Sequence, residues 1–357
     1  MNLTTQITKM LGIKYPIIQA GMAGSTTPEL VSTVSKQGGL GMIGAGYFDS
    51  HQLSKEILEV QKLTQAPFAV NLFTPNDIKY DKKQIEQMNT KLKPYREALG
   101  LSTPKNSTAK EKEKFEDAIE VIESLKVPII AFTFGIPNQN IIKRLHNAGK
   151  ILIGTATSVE EAVENENAGM DIVVAQGYEA GGHRGSFTTI NGEFPLVGTL
   201  SLVPQIVDNV SIPVIAAGGI MDGRGLVASL ALGAGAAQQL GTAYLTTNES
   251  GADDKIKNEI IESSETDTIL TNVFSGKLAR GIMNEFVHNM NLYSKQVPPY
   301  PLQNQLTTQI RKSALEKGYT EWTHIWSGQS TRLADTVDAA QLTKNIINDA
   351  VKIINNK

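Results

Sequence analysis

Apolar positions along this chain fall into two alternating spacings. Short runs with little polar interruption recur at 15–20, 40–45, 68–73, 127–133, 150–155, 171–176, 213–217 and 236–240. Runs of that length and continuity are expected of strands buried on both faces, as in a parallel sheet. Between them, apolar positions return every three or four residues, as on helices with one buried face. The clearest helical stretches are 28–36, the stretch through Arg144, the acidic 159–167, and 224–232. The first opens on Ser25-Thr-Thr-Pro28 and closes at Gly38-Gly39, the residue types that start and stop helices. Eight strand–helix units in this order predict an α/β fold, a (β/α)8 TIM barrel in preference to an open doubly wound sheet.

Two stretches break the alternation. Residues 76–126 are longer than an ordinary connection, charged and helix-prone, which predicts a helical excursion. Beyond Tyr244 no further strand of the same kind is expected. Helical patterns cover 255–263, 278–293 and 305–316, a Pro-rich break lies at Val297-Pro-Pro-Tyr-Pro301, and a last amphipathic helix covers 338–354. The expected organisation is a barrel over 1–246 that includes the excursion, a mostly helical substrate or lid domain inserted after the eighth strand over 247–334, and a C-terminal helix within 335–357 returning to the barrel.

Composition narrows the chemistry. The chain has 357 residues, 41% hydrophobic and 19% charged, which is ample for a large buried core. A net charge of −3 without a polybasic cluster argues against a nucleic-acid partner. The absence of cysteine removes disulfides, thiolate metal sites and thiol nucleophiles. The five histidines show no metal-ligand spacing, so no metal site is expected. The N-terminus lacks an apolar signal region, and no apolar run approaches the ~20 residues of a membrane span. A cytoplasmic protein with no membrane partner is the resulting expectation.

In a barrel of this class the active site is built at the C-terminal ends of the strands, and phosphate often binds after strands seven and eight. The chain places polar residues or glycines at those ends: Gly21 and Met22, Asn71, Gln176 with Gly181 and Gly182, Gly218 and Gly219, and Gln239, Gly241 and Thr242. Gly218-Gly219 leads through Met221-Asp-Gly-Arg224 into a helix. Amide donors there and at Gly241-Thr242, with a helix dipole, would cradle a phosphate-bearing cofactor. Glycines make tight strand-end turns in any barrel, and the two pairs together favour the cradle. Gly39-Leu-Gly-Met-Ile-Gly44 fits the spacing of a dinucleotide fingerprint, but its glycines lie inside an apolar strand and read as close packing.

His183, in the loop Ala175-Gln-Gly-Tyr-Glu-Ala-Gly-Gly-His-Arg-Gly185, is the acid–base candidate, because that loop faces the same rim. His146 reads as a solvated helix residue, His51 as part of a polar helix start, and His288 as a helix residue of the appended domain. His324 lies in Trp322-Thr-His-Ile-Trp-Ser-Gly-Gln-Ser330, a segment suited to lid a pocket, with Gln329 as a candidate contact.

These motifs carry a resemblance. Pro16-Ile-Ile-Gln-Ala-Gly-Met22, Gly38-Gly-Leu-Gly41, Val70-Asn71, the His183 loop, Ile215-Ala-Ala-Gly-Gly-Ile220, Leu240-Gly-Thr242 and Trp326-Ser-Gly-Gln329 resemble the nitronate monooxygenases, formerly called 2-nitropropane dioxygenases, along nearly the full chain and closest to class I-like bacterial members. The resemblance implies non-covalent FMN and oxidation of alkyl nitronates, such as propionate 3-nitronate, by O2 to a carbonyl compound and nitrite. It implies His183 as the catalytic residue. It implies flavin contacts at Asn71, Gln176, Gly181, Gly218 and 239–242, which add Leu240 to the strand-end set of Gly21, Met22, Gly182 and Gly219. A histidine or Arg184 near the flavin would orient the nitronate anion. Tyr300 and Lys312 lie nearest to the family's tyrosine and lysine, at a local spacing that does not match. A homodimer is compatible with this reading. The flavin-dependent enoyl-acyl-carrier-protein reductases share the same loop and strand ends and give the alternative, an NAD(P)H-dependent reductase. The insertion at 76–126 and the Trp-Ser-Gly-Gln wording favour the monooxygenase.

Overall fold

A computed structural model describes residues 3–76, 81–104, 111–189, 192–234 and 238–355. In chain order its strands are β1 (Ile17–Gln19), β2 (Gly41–Gly44), β3 (Phe68–Phe73), β4 (Ile129–Thr133), β5 (Ile151–Ala156), β6 (Ile172–Gln176), a two-residue β7 (Gly182–His183), β8 (Val214–Ala217), β9 (Gln238–Leu240), β10 (Thr268–Thr271) and β11 (Ala279–Ile282). The strand expected at 236–240 is described from Gln238 onward, and its first residues lie outside the described set.

Eight of these strands form one parallel sheet in the order β1-β9-β8-β6-β5-β4-β3-β2. A parallel bridge between Ile18 and Leu40 joins its two ends, so the sheet closes into the TIM barrel that the strand–helix alternation predicts. Gln19 strengthens that short seam. Its fully buried amide accepts from Met42 N at 3.0 Å and donates to Met42 O at 3.3 Å, doing with a side chain what a longer ladder would do with backbone.

The helices start where local capping allows. Thr27 accepts from Leu30 N to open Pro28–Lys36, and Ser158 accepts from Glu161 N to open Val159–Ala168. The excursion at 76–126 divides between two cores. Helix Lys82–Leu99 buries Met88, Leu92 and Leu99 with Val273, Phe286, Leu306 and Ile310 of the late segment. Helix Glu111–Ser124 instead buries Phe115, Ile119 and Ile122 against Val70, Ile130 and Phe132 of the barrel. The last helix, Ala339–Asn355, packs on helix Gly223–Ala231. A Cβ at Gly223 would lie 2.4 Å from Ala350 N, so only glycine permits this approach.

The late segment holds more than helices. The helix expected over 278–293 is replaced by strand β11 followed by helix Glu285–Asn291. Asn284 accepts from Val287 N and fixes the helix start there. Gly281 lies so close to Ile325 O that a Cβ would stand 2.6 Å from it, which suits an extended segment pressed against a neighbour. Strands β10 and β11 are antiparallel, and β7 adds to β11 with Ala279 opposite His183. The loop that carries His183 is therefore hydrogen-bonded into the late segment, across the mouth of the barrel. Among the described residues no helix is long and apolar enough to cross a membrane.

Candidate active site

The His183 loop is held in place from below. Gln176 donates through Nε2 to His183 O at 3.0 Å and accepts through Oε1 from Gly185 N at 2.7 Å. The buried Glu161 carboxylate accepts from Phe187 N at 2.7 Å, Thr188 N at 2.8 Å and Thr157 N at 2.6 Å, tying the continuation of the loop to the end of β5. Arg184 does not face the site. Its guanidinium, 1% exposed, donates to the carbonyls of Gln176, Gly177 and Pro195. It braces the loop, so the expectation that it could orient an anion is corrected.

The imidazole of His183 sits among aromatic rings, with centroids 5.5 Å to Trp326, 5.6 Å to Phe134, 6.1 Å to Phe73 and 6.3 Å to Tyr300. Its Nε2 is 2.8 Å from Ser275 Oγ, and that hydroxyl also lies 3.1 Å from Lys277 O. With the serine proton on that carbonyl, Nε2 of His183 is the donor and Nδ1 keeps its lone pair. Burial, then the cations Lys277 and Arg311, push the His183 pKa down to about 3, so the ring is neutral at neutral pH.

Phe134 is placed by unusual backbone. Its φ of +78° is rare for a bulky residue and turns the chain directly after β4. Asn76 Nδ2 holds the Phe134 carbonyl at 3.0 Å. The ring of Phe134 in turn carries the ammonium of Lys277 at 4.3 Å from its centroid. Burial lowers the Lys277 pKa to about 8, with Glu161 opposing the shift. Lys277 is a residue that sequence reading missed. It lies in a stretch expected to be loop and helix, and nothing in Ser275-Gly-Lys277 announces a cation brought over a barrel mouth.

A cavity of about 970 Å3 opens beside this cluster. Its wall includes Phe73, Phe134, Lys277, Tyr300, Arg311, Lys312 and His324. Tyr300 and Lys312, placed only loosely by sequence, thus reach one chamber. Gln329 does not line it, although the loop carrying Gln329 covers the neighbouring strand ends. Gln329 N donates to Glu179 O at 3.0 Å, Gly328 N to Thr242 Oγ1 at 2.9 Å, and Ser330 Oγ to Gly219 O at 3.0 Å.

None of the candidate cofactor residues lines the cavity itself. Gly21, Met22 and Asn71 lie immediately behind it, next to the lining residues Ala23, Leu72 and Phe73. Asn71 Oδ1 accepts from Thr133 Oγ1 at 3.0 Å, and a Cβ on Gly21 would stand 2.8 Å from Asn71 Cβ. Gly218, Gly219, Gly241 and Thr242 form a separate rim at the ends of β8 and β9, with Gln239 and Leu240 inside β9. Gly218 and Gly219 have φ of +115° and +71°, and among the described residues no protein acceptor is found for the N–H groups of Gly219, Gly241 and Thr242. The helix after Gly219 does not contribute its N-terminus, because the Asp222 carboxylate already accepts from Arg224 N and Gly225 N. Gly181 meets protein: a Cβ there would stand 2.5 Å from Gly328 N. Gly182, with φ +71°, has no such neighbour.

The chain is similar to known proteins over nearly its whole length. The family described as nitronate monooxygenase matches residues 4–349. A probable nitronate monooxygenase of Staphylococcus saprophyticus is 56% identical over 99% of this chain and 100% of its own length. One of Staphylococcus haemolyticus is 59% identical over 96% of both chains. Among solved structures, the nitroalkane oxidase of Streptomyces ansochromogenes superposes with a TM-score of 0.90 at 34% identity, covering 98% of this chain and 99% of its own. FabK of Thermotoga maritima superposes with a TM-score of 0.78 at 30% identity, covering 99% and 98%.

Proposed function

This chain belongs to the nitronate monooxygenase family, a family of oxidoreductases, and on that premise we propose that it binds FMN and oxidises alkyl nitronates with O2 to a carbonyl compound and nitrite. The observation that carries the reading is the neutral His183 in an aromatic cage with the cations Lys277 and Arg311 beside it. Such a chamber attracts an anion, which suits a nitronate.

The rim at β8 and β9 fits the phosphate of FMN. The N–H groups of Gly219, Gly241 and Thr242 are donors without protein acceptors, and the positive φ of Gly218 and Gly219 shapes a concave backbone. Bound there, FMN supplies the electron transfer between substrate and O2. The protein's own residues do the rest. Lys277 offers its ammonium to the nitronate oxygens, Phe73, Phe134, Tyr300 and Trp326 keep water out, and Ser275 fixes the ring of His183 with Nδ1 free to accept a hydrogen bond or a proton. A base with a pKa near 3 has little driving force to take the α-proton of a neutral nitroalkane. Preformed nitronates are therefore the better substrates.

Anaerobic mixing of the oxidised flavoprotein with a nitronate tests this reading. The nitronate should bleach the flavin band and NAD(P)H should not; the reverse pattern would assign the chain to the enoyl reductase alternative. A colourless protein that cannot be reconstituted with FMN would overturn both.

A further inference from the structure

Four arginines are buried in this chain without an ion pair among the described residues: Arg96, Arg184, Arg280 and Arg311. Removing a cation from water without a counter-ion is costly, so each needs a reason. Three of them brace the chain. Arg96 donates to the carbonyls of Asn89 and Leu306, Arg184 to those of Gln176, Gly177 and Pro195, and Arg280 to the Tyr178 carbonyl and Thr268 Oγ1. Arg311 differs from them because it lines the cavity and is gripped mainly by neutral side chains. Its Nε donates to Thr307 Oγ1 at 3.2 Å, one Nη to His324 Nδ1 at 3.1 Å, and the other to Asn304 Oδ1 at 2.6 Å and Thr308 Oγ1 at 3.0 Å. These contacts orient the guanidinium and leave its charge uncompensated.

The acids on the cavity wall are engaged elsewhere. Glu111 accepts from Lys114 at 3.4 Å, and Asp253 caps its own helix through Lys255 N at 2.9 Å. Arg311 is near enough to His183 for its charge to act on that ring, yet none of its hydrogen bonds reaches His183, Ser275 or Lys277. It touches His324, whose ring is 5.1 Å from Trp326, and Trp326 in turn is 5.5 Å from His183. The Arg311 side chain thus meets the ring cluster around His183 through His324 and Trp326 and not by a direct hydrogen bond. The Nη that meets His324 has a second N–H with no acceptor among the described residues, and that donor with the guanidinium charge can take one oxygen of a carboxylate.

We propose that Arg311 is a specificity-determining residue: it receives a second oxyanion, a carboxylate-like group that the substrate carries away from its reacting carbon, while Lys277 and His183 hold the nitronate. This rests on the proposed function, and the test keeps the two apart. Succinate and butyrate have the same chain length and differ in one carboxylate, and neither can be oxidised as a nitronate. Calorimetric titration of the intact holoprotein should show succinate binding about tenfold tighter than butyrate, the usual scale of one charge-assisted contact. Arg311→Gln should erase that preference and Arg311→Lys should restore part of it. In turnover, Arg311→Gln should raise KM for an ω-carboxylated nitronate about tenfold more than for an unsubstituted alkyl nitronate of equal length, with kcat affected less.

Equal binding of succinate and butyrate by the unmodified protein overturns the proposal, even if every Arg311 variant fails to fold. So does an equal loss on both ligands in Arg311→Gln. If no nitronate is turned over while the Arg311-dependent succinate preference remains, the proposed function fails and the oxyanion subsite stands.

Discussion

The rim at the ends of β8 and β9 and the wall of the neighbouring cavity are built on opposite principles. The rim is backbone: Gly218, Gly219, Gly241 and the N–H of Thr242, with positive φ at the first two. The wall is side chains: Lys277, Tyr300, Arg311 and His324, delivered by segments that follow the barrel. A site made from backbone depends on where a strand ends and on which residues tolerate unusual φ, both local matters. A site made from side chains depends on which distant elements pack together. The rim therefore suits a constant group such as a phosphate, and the wall can set what substrate enters.

The contrast can be broken where the two regions touch. Gly181→Ala places a Cβ 2.5 Å from Gly328 N and from Ser327 C, backbone atoms that cannot swing aside. A destabilisation of about 3 kcal/mol is expected, at the upper end of ordinary overpacking, with loss of bound flavin. Thermal melting and the flavin-to-protein absorbance ratio measure it, and an unchanged melt would mean that the 327–330 loop is not seated on the rim.

His183→Asn acts just behind the wall, on the ring packed against Phe73, Phe134 and Tyr300. Flavin content should hold while nitronate turnover falls about 20-fold, the scale of one hydrogen bond to an anion. With its pKa near 3, His183 should contribute no ionisation to the rate profile between pH 5 and 8. A limb in that range that disappears in His183→Asn would contradict the neutral cage.

Lys277→Met should raise KM for a nitronate about tenfold, the scale of one charged contact. The sign of its pH dependence follows from a pKa lowered from 10.5 to about 8. Below pH 8 the ammonium is charged and anion binding is strong. As pH rises through 8 the charge is lost and kcat/KM should fall, whereas an ordinary lysine would hold its charge beyond pH 10. That limb should be missing from Lys277→Met. A bound anion favours the ammonium, so the same limb in kcat should lie at higher pH.

The smallest effect is expected for Gly182→Ala. Open space surrounds that position, so only its φ of +71° opposes a side chain, at about 1 kcal/mol. A loss as large as that of Gly181→Ala would show that Gly182 too meets a close neighbour.

Particular residues mark how far the sequence could be read. Phe68–Phe73 reads as a strand over its full observed length, because an apolar run broken only by Asn71 and flanked by Pro67 and Thr74-Pro75 has few other homes. Helix Pro28–Lys36 was equally legible, since its cap, its proline and its closing glycines are neighbours in sequence. Strand β11 was not: Leu278-Ala-Arg-Gly-Ile-Met283 carries no clear period, and what extends it is pairing with β10 and β7. Arg184 is illegible for a related reason, as its position beside His183 does not reveal that its guanidinium turns back onto Gln176 and Gly177.

The alternation that closes a barrel and the glycines at the ends of β8 and β9 are legible in the chain, because each is written in adjacent residues and local backbone preference. What surrounds His183 is a matter of packing. Ser275 and Lys277 are more than ninety positions downstream of that histidine, and Arg311 and Trp326 lie farther still. They converge because β11 pairs with β7 and helix Lys82–Leu99 shares a core with helix Leu302–Glu316. Burial in that shared chamber, and no local motif, sets the charge states on which its chemistry depends.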